Sequence, residues 1–256
     1  MAASSKTRAW LLGLTLALCL LPVLYAAAQT TGKTVRHHSI PESQPAFPPQ
    51  LTQAEDAIEK KDFTRAEPLL QQVTAADPSN YQAWFDLGFV YHALEREPES
   101  IDAYRKSVAA KPDVFESNLN LGLALARGGQ PDAERFLRAA TTLTPTAHVE
   151  QGRARAWLSL AHILAAGQPA EAITAYQKAA ELQPADPEPH LALGPLLEHE
   201  NRFSDAIAEY RKALALDPKS SDALIGMANV YMRGHQFSDA QDALTRLIAL
   251  HPGDAS

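Results

Sequence analysis

From Leu51 onward, apolar and polar residues alternate with the period of an amphipathic helix, and the helices come in pairs. Trp84, Leu87, Gly88 and Tyr91 fall at i, i+3, i+4 and i+7, one face of a helix. Ala172, Tyr176 and Ala179 mark the facing side of a second helix. Each pair closes on a proline, in a column of Pro78, Pro112, Pro145, Pro184, Pro218 and Pro252 with intervals of 34, 33, 39, 34 and 34 residues. The residue before a proline is biased away from helix, so Asp77-Pro78 and Asp217-Pro218 end their units. Two columns of small residues run in register with the prolines. One is Ala54, Gly88, Gly122, Ala161, Gly194 and Ala228; the other is Ala66, Ser100, Ala133, Ala172, Ala206 and Ala240. They stand where two helices joined by a short turn must approach closely, while bulky partners such as Trp84 and Tyr104 fill the space beside them. One such hairpin cannot bury its own apolar face, so the spacing predicts an all-α stack of repeats, a solenoid.

The second unit, with W-x2-L-G-x2-Y at Trp84, Leu87, Gly88 and Tyr91, then Ser100, Tyr104 and Pro112, resembles the tetratricopeptide repeat family. The fifth unit (Leu193-Gly194, Ala206, Tyr210, Pro218) and the sixth (Met227-Ala228, Tyr231, Ala240, Leu244, Pro252) are similar to it. The resemblance covers about Phe47 to Pro252 and implies a right-handed solenoid of about six units, at 47–80, 81–114, 115–147, 154–186, 187–220 and 221–254. Departures locate irregularities. The interval of 39 residues predicts an insertion at His148 to Arg153, either lengthening the fourth unit's first helix or bulging as a loop. The turns at Gly128-Gly129-Gln130-Pro131 and Gly167-Gln168-Pro169 are a residue short, and Pro68 and Pro195 fall inside expected helices, where proline favours a kink.

Upstream, the uncharged run of 20 residues from Ala9 to Ala28 follows Lys6 and Arg8 and ends in Ala26-Ala27-Ala28, the three-part layout of a secretory signal. It also has about the length of a membrane span. Residues 1–28 therefore read as a signal peptide cleaved after Ala28 or as a retained N-terminal anchor, 29–48 as a proline-rich tether, and 49–256 as the repeat array. Either reading places the repeats outside the cytoplasm: periplasmic or extracellular after cleavage, held at the inner membrane without it. The simple signal points to a bacterial envelope protein. With 46% hydrophobic and 21% charged residues the chain is built to fold. Its net charge of −7, or −9 once Lys6 and Arg8 are removed (21 basic against 30 acidic residues), argues against nucleic acid as partner. The single cysteine, Cys19, lies in the apolar run, which leaves the array without a disulfide or thiolate metal site.

The family resemblance implies a concave surface lined by the first helices. Side chains there that point away from the packing face are Gln82, Phe85, Phe89 and His92 in the second unit, Glu116, Leu119, Leu123 and Arg127 in the third, and Arg155, Leu158 and His162 in the fourth. These eleven predict a partner-binding groove with an apolar floor and polar edges, fitted to a helix or extended segment with hydrophobic anchors and some positive charge. Phe85 and Phe89 have a second reading, as core packed between adjacent first helices. The family's capture of a C-terminal carboxylate by Lys and Asn is not expected, because Leu51, Glu55 and Asp86 hold the positions concerned and two acids would repel that ligand. Leu244, Leu247 and Ile248 in the last unit lack a following helix to cover them, which leaves this end open to self-association.

Catalytic chemistry has no foothold in the sequence. There is no G-x-S-x-G elbow, phosphate loop or H-E-x-x-H. Glu198-His199-Glu200 diverge around a helix, so neither a metal nor a cofactor is expected. Two readings of function remain: a non-enzymatic interaction scaffold or adaptor in the cell envelope, and a membrane-anchored assembly factor or chaperone for envelope, cytochrome or pilus proteins.

Overall fold

A computed structural model describes residues 48–250. The signal or anchor block, all of the proline-rich tether but Pro48, and Pro252 lie outside these residues. The described residues form twelve helices and no strands, in six antiparallel pairs. They are α1 (Pro49–Glu59) with α2 (Phe63–Ala76), α3 (Tyr81–Ala93) with α4 (Glu97–Ala110), and α5 (Phe115–Arg127) with α6 (Ala133–Thr142). The second half continues with α7 (Val149–Leu164) and α8 (Pro169–Leu182), α9 (Glu188–His199) and α10 (Phe203–Leu216), and α11 (Ser221–Arg233) and α12 (Phe237–Leu250). Within a pair the helices pack along their length, and each second helix packs on the next first helix. The result is the all-α repeat solenoid that the proline and small-residue columns predict.

The turns inside the pairs share one device. Lys61, Glu95, Asn201 and His235 adopt left-handed backbone (φ 57° to 60°), as does Gly129 (φ 63°). In each case the next amide bonds back five residues, as in Asp62 N to Ala57 O, Arg96 N to Tyr91 O and Gln130 N to Leu125 O, closing the helix end with a Schellman motif. The fourth pair departs from this: both Gly167 N and Gln168 N bond Leu164 O. The close approach also falls where the small residues stand. A Cβ on Gly88 would sit 2.7 Å from the Tyr104 ring, and one on Gly122 would sit 2.8 Å from Leu137.

The insertion resolves as helix. α7 has 16 residues where α3, α5 and α11 have 13. Its added first turn packs back on the preceding unit, where Gly152 lies against the Pro145 ring and leaves no room for a side chain. In the third unit α6 has 10 residues, whereas α8, which also follows a short turn, has 14. Helix continues through both Pro68 in α2 and Pro195 in α9.

Candidate functional site

Three first helices, α3, α5 and α7, carry the eleven side chains expected in the groove, and the structure sorts these into core, cavity and surface. Phe85, Leu119 and Leu123 are core, at 2%, 0% and 6% exposure. The expected apolar floor is corrected here, because the neighbouring first helices and the second helices between them close over these positions. Phe85, for instance, packs on Tyr104 of α4 with ring centroids 5.8 Å apart. Phe89 is half-buried and meets Phe63 of the preceding unit edge-on at 6.1 Å. Leu158 is half-buried against the core that runs from the third unit to the sixth.

Gln82 and Glu116, expected at the polar edges, are instead buried, at 4% and 1% exposure. With Phe85 they line a cavity of about 140 Å³ between the N-terminal turns of α3 and α5, completed by Lys111, Asp113 and Val114 of one loop and Thr144 and Thr146 of another. Neighbouring bonds fix its walls. Ser107 Oγ donates to Tyr81 O (2.9 Å) and lies 2.8 Å from Ser117 Oγ, joining α3 to α5 through α4. Asn118 Nδ2 donates to Pro112 O (2.7 Å) and Val114 O (2.8 Å), fixing the loop before α5. Glu116 Oε1 accepts from Thr146 N and Thr146 Oγ1, both at 2.8 Å. The loop residues were not legible as part of the site; only the pairing of Thr144 and Thr146 around Pro145 in a short connection hints at them.

His92 and Arg127 come together at the other end of α3 and α5, around Glu97 at the start of α4. Arg127 Nη2 and Nε donate to Glu97 Oε1 at 2.7 and 3.0 Å, and His92 Nδ1 lies 3.0 Å from Glu97 Oε2. Glu97, absent from the expected set, is thus the joint of this cluster. Arg155 is partly buried, and its Nη2 has no hydrogen-bond partner among the described residues. Burial, with repulsion from Arg127, lowers its pKa to about 10. His162 packs edge-on against Tyr176 at 5.2 Å, and burial lowers its pKa to about 4. Its Nε2 is 3.8 Å from Oε1 of Glu188, a carboxyl raised by burial and by the nearby Asp186.

The first-helix face between α3 and α7 therefore carries half-buried Phe89 and Leu158, the hydrogen-bonded cluster of His92, Glu97 and Arg127, and a small polar cavity. No group of three or more histidine, cysteine, aspartate or glutamate residues that could hold a metal occurs among the described residues. Glu198 is occupied with Tyr210, whose hydroxyl donates to it at 2.7 Å, while the neighbouring His199 projects into solvent. A larger cavity, about 480 Å³, opens between α2 and α4 beside Trp84 and Tyr91, with Lys106 Nζ 4.4 Å from the Trp84 ring centroid. Among the described residues no helix is long and apolar enough to cross a membrane.

Comparison with known proteins places this geometry. A sequence profile described as Tetratricopeptide repeat matches residues 51–115, 132–187 and 162–221, and a second of the same description matches 197–256. Tetratricopeptide repeat protein 37 of Xenopus laevis is 32% identical over 87 residues, which span 34% of this chain and 6% of that protein. Among solved structures, the fold is similar to pilF of Pseudomonas aeruginosa (19% identity, TM-score 0.61, 80% of this chain and 91% of that one). It is also similar to PilW, a widely conserved type IV pilus biogenesis factor (19% identity, TM-score 0.60, 80% of this chain and 93% of that one). The C-terminal part of a repeat-containing protein from Cytophaga hutchinsonii aligns as well (14% identity, TM-score 0.64, 78% of each chain). Repeat spacing, paired helices and profile matches over most of its length agree: the chain belongs to the tetratricopeptide repeat family.

Proposed function

We propose that this protein is a non-enzymatic interaction scaffold of the cell envelope, whose first-helix face between α3 and α7 receives a segment of a partner protein. One observation carries the reading: on that face Phe89 and Leu158 stay half-buried while the rest of the apolar floor is sealed. Full burial of a side chain of this kind contributes about 1.5 to 3 kcal/mol, so two partly covered ones supply anchoring and leave orientation to the polar groups around them. Arg127, Arg155 and His162 flank them. The envelope location rests on the Ala9 to Ala28 run, and fusion of a reporter active only outside the cytoplasm tests it. Photo-crosslinking in cells from Leu158, compared with Glu181 on the exposed side of α8, tests the face. A discrete adduct at Leu158 alone supports it, and equal labelling at both sites rejects it.

A second reading has the same face serve assembly of envelope structures from a membrane-retained chain. The Ala9 to Ala28 run, about the length of a membrane span if it is retained, supports it, and the fold shared with PilW names pilus biogenesis as one process to examine. Persistence of residues 1–28 in the protein isolated from membranes separates the two. The last pair offers a further surface, for a second copy of the chain. At the position held by Leu70, Tyr104, Leu137, Tyr176 and Tyr210, all 0–3% exposed, Leu244 is 42% exposed, and Ile248 one turn on and Ile225 of α11 are exposed too. The outer side of α1 shows Thr52, Gln53 and Asp56 instead, so like ends match better than unlike ones, and a closed pair is favoured over a filament.

A further inference from the structure

We propose that the cavity between the N-terminal turns of α3 and α5 receives one basic side chain, arginine or lysine, of the partner segment, with Glu116 as its counter-ion. The inference rests on the reading that this face binds a partner segment and names one residue class that the segment must carry. Glu116 is 1% exposed, and only half of its carboxylate is used: Oε1 takes both bonds from Thr146, while Oε2 is buried with no partner among the described residues. A carboxylate only accepts, so whatever completes Glu116 must be a donor. Burying an anion without a partner is costly, whereas an inserted cation supplies both the hydrogen bond and the charge.

The rest of the cavity agrees with a cation. Lys111 lines it, but its ammonium lies over the Tyr81 ring, 4.7 Å from the centroid, and not on Glu116. Asp113 adds a second acid to the lining. Gln82 Nε2 is likewise buried without a partner, and because the two ends of a carboxamide exchange by a half-turn, its oxygen can face an incoming N–H. Phe85, Val114 and Phe115 form an apolar wall for the aliphatic stem of such a side chain. At about 140 Å³ the space admits one side-chain head and excludes a helix. The bonds from Ser107, Asn118 and Thr146 hold the walls in place beforehand, which lowers the ordering cost of binding. A carboxylate ligand would meet Glu116 and Asp113, and a neutral amide would leave the Glu116 charge uncompensated.

The test uses the full chain and two isosteric probes, N-acetyl-arginine methylamide and N-acetyl-citrulline methylamide, titrated in the millimolar range by ligand-observed NMR. Arginine is expected to bind about tenfold or more tightly than citrulline, the scale of a hydrogen bond to a charged group. Glu116→Gln is expected to abolish that preference, with thermal melting recorded to confirm that the variant folds. The arginine and citrulline comparison on the unaltered chain stands even if the variant does not fold. Equal binding of the two probes, tighter binding of citrulline, binding of neither, or an arginine preference that survives in folded Glu116→Gln would each overturn the proposal. None of these outcomes touches the crosslinking at Leu158, so the scaffold reading and the cavity assignment fail separately.

Discussion

Tyr210 lies between two glycines of successive first helices, Gly194 in α9 and Gly226 in α11, and its hydroxyl donates to Glu198 Oε1 at 2.7 Å. A Cβ at either glycine would overlap the ring, which is pinned from both sides and by its hydroxyl and has nowhere to turn. Alanine normally gains about 1 kcal/mol over glycine inside a helix. Here overpacking, which typically costs about 1 to 3 kcal/mol, outweighs that gain. Gly194→Ala is therefore expected to lower the urea midpoint, and an unchanged or higher midpoint would show that the fifth and sixth units are looser than described. Tyr104, at the equivalent place in the second unit, has a fully buried hydroxyl with no hydrogen-bond partner among the described residues, and burial raises its pKa. Removing an unsatisfied buried hydroxyl relieves a penalty of about 1 to 3 kcal/mol, so Tyr104→Phe is expected to hold or raise stability in the same assay. A clear loss would contradict this.

At the scale of the helix pair, the sequence was most informative where spacing forces packing. The columns at Gly88 and Tyr104 or at Gly194 and Tyr210 announced which helices touch, because close approach permits few residue types. It was least informative about solvent exposure within a first helix. Phe85 and Phe89 lie one turn apart on one face, yet Phe85 is sealed and Phe89 is half-open, a difference set by the neighbouring units and not by α3 itself. Gln82 and Glu116 were hidden for the same reason: polar residues at groove positions read as rim until the loops carrying Lys111 and Thr146 close over them. The fourth pair yields a pH dependence. Burial lowers His162 to about 4, from about 6.5 in the unfolded chain. Between those values the unfolded chain takes up a proton that the folded chain refuses, so stability falls as pH drops through about 6.5 and levels off below about 4. The full difference is on the order of 3 kcal/mol. Replacing His162 with glutamine is expected to flatten the stability profile between pH 6.5 and 4 relative to the unaltered chain. Parallel profiles for the two proteins would mean that His162 titrates as freely in the fold as outside it.

Across the described pairs, stability is a sum of units and their interfaces, so the last described pair, which leaves Leu244 and Ile248 exposed, is the place where association costs the fold least. Ile248, at 55% exposure, contributes little to the core, and Ile248→Lys is expected to change stability by no more than about 0.5 kcal/mol. If the last pair joins two copies, light scattering will show a dimer of the unaltered chain that becomes monomer in this variant; a monomer throughout would remove that surface from consideration. The central claim concerns a different surface, the first helices from α3 to α7. The most direct measurement is photo-crosslinking in cells from Leu158, with the exposed Glu181 on α8 as comparison, and identification of the adducts by mass spectrometry. One or a few envelope proteins attached at Leu158 and absent at Glu181 is the expected result. Adducts of equal kind and yield at both positions, or none at Leu158, would contradict a partner-binding role for this face.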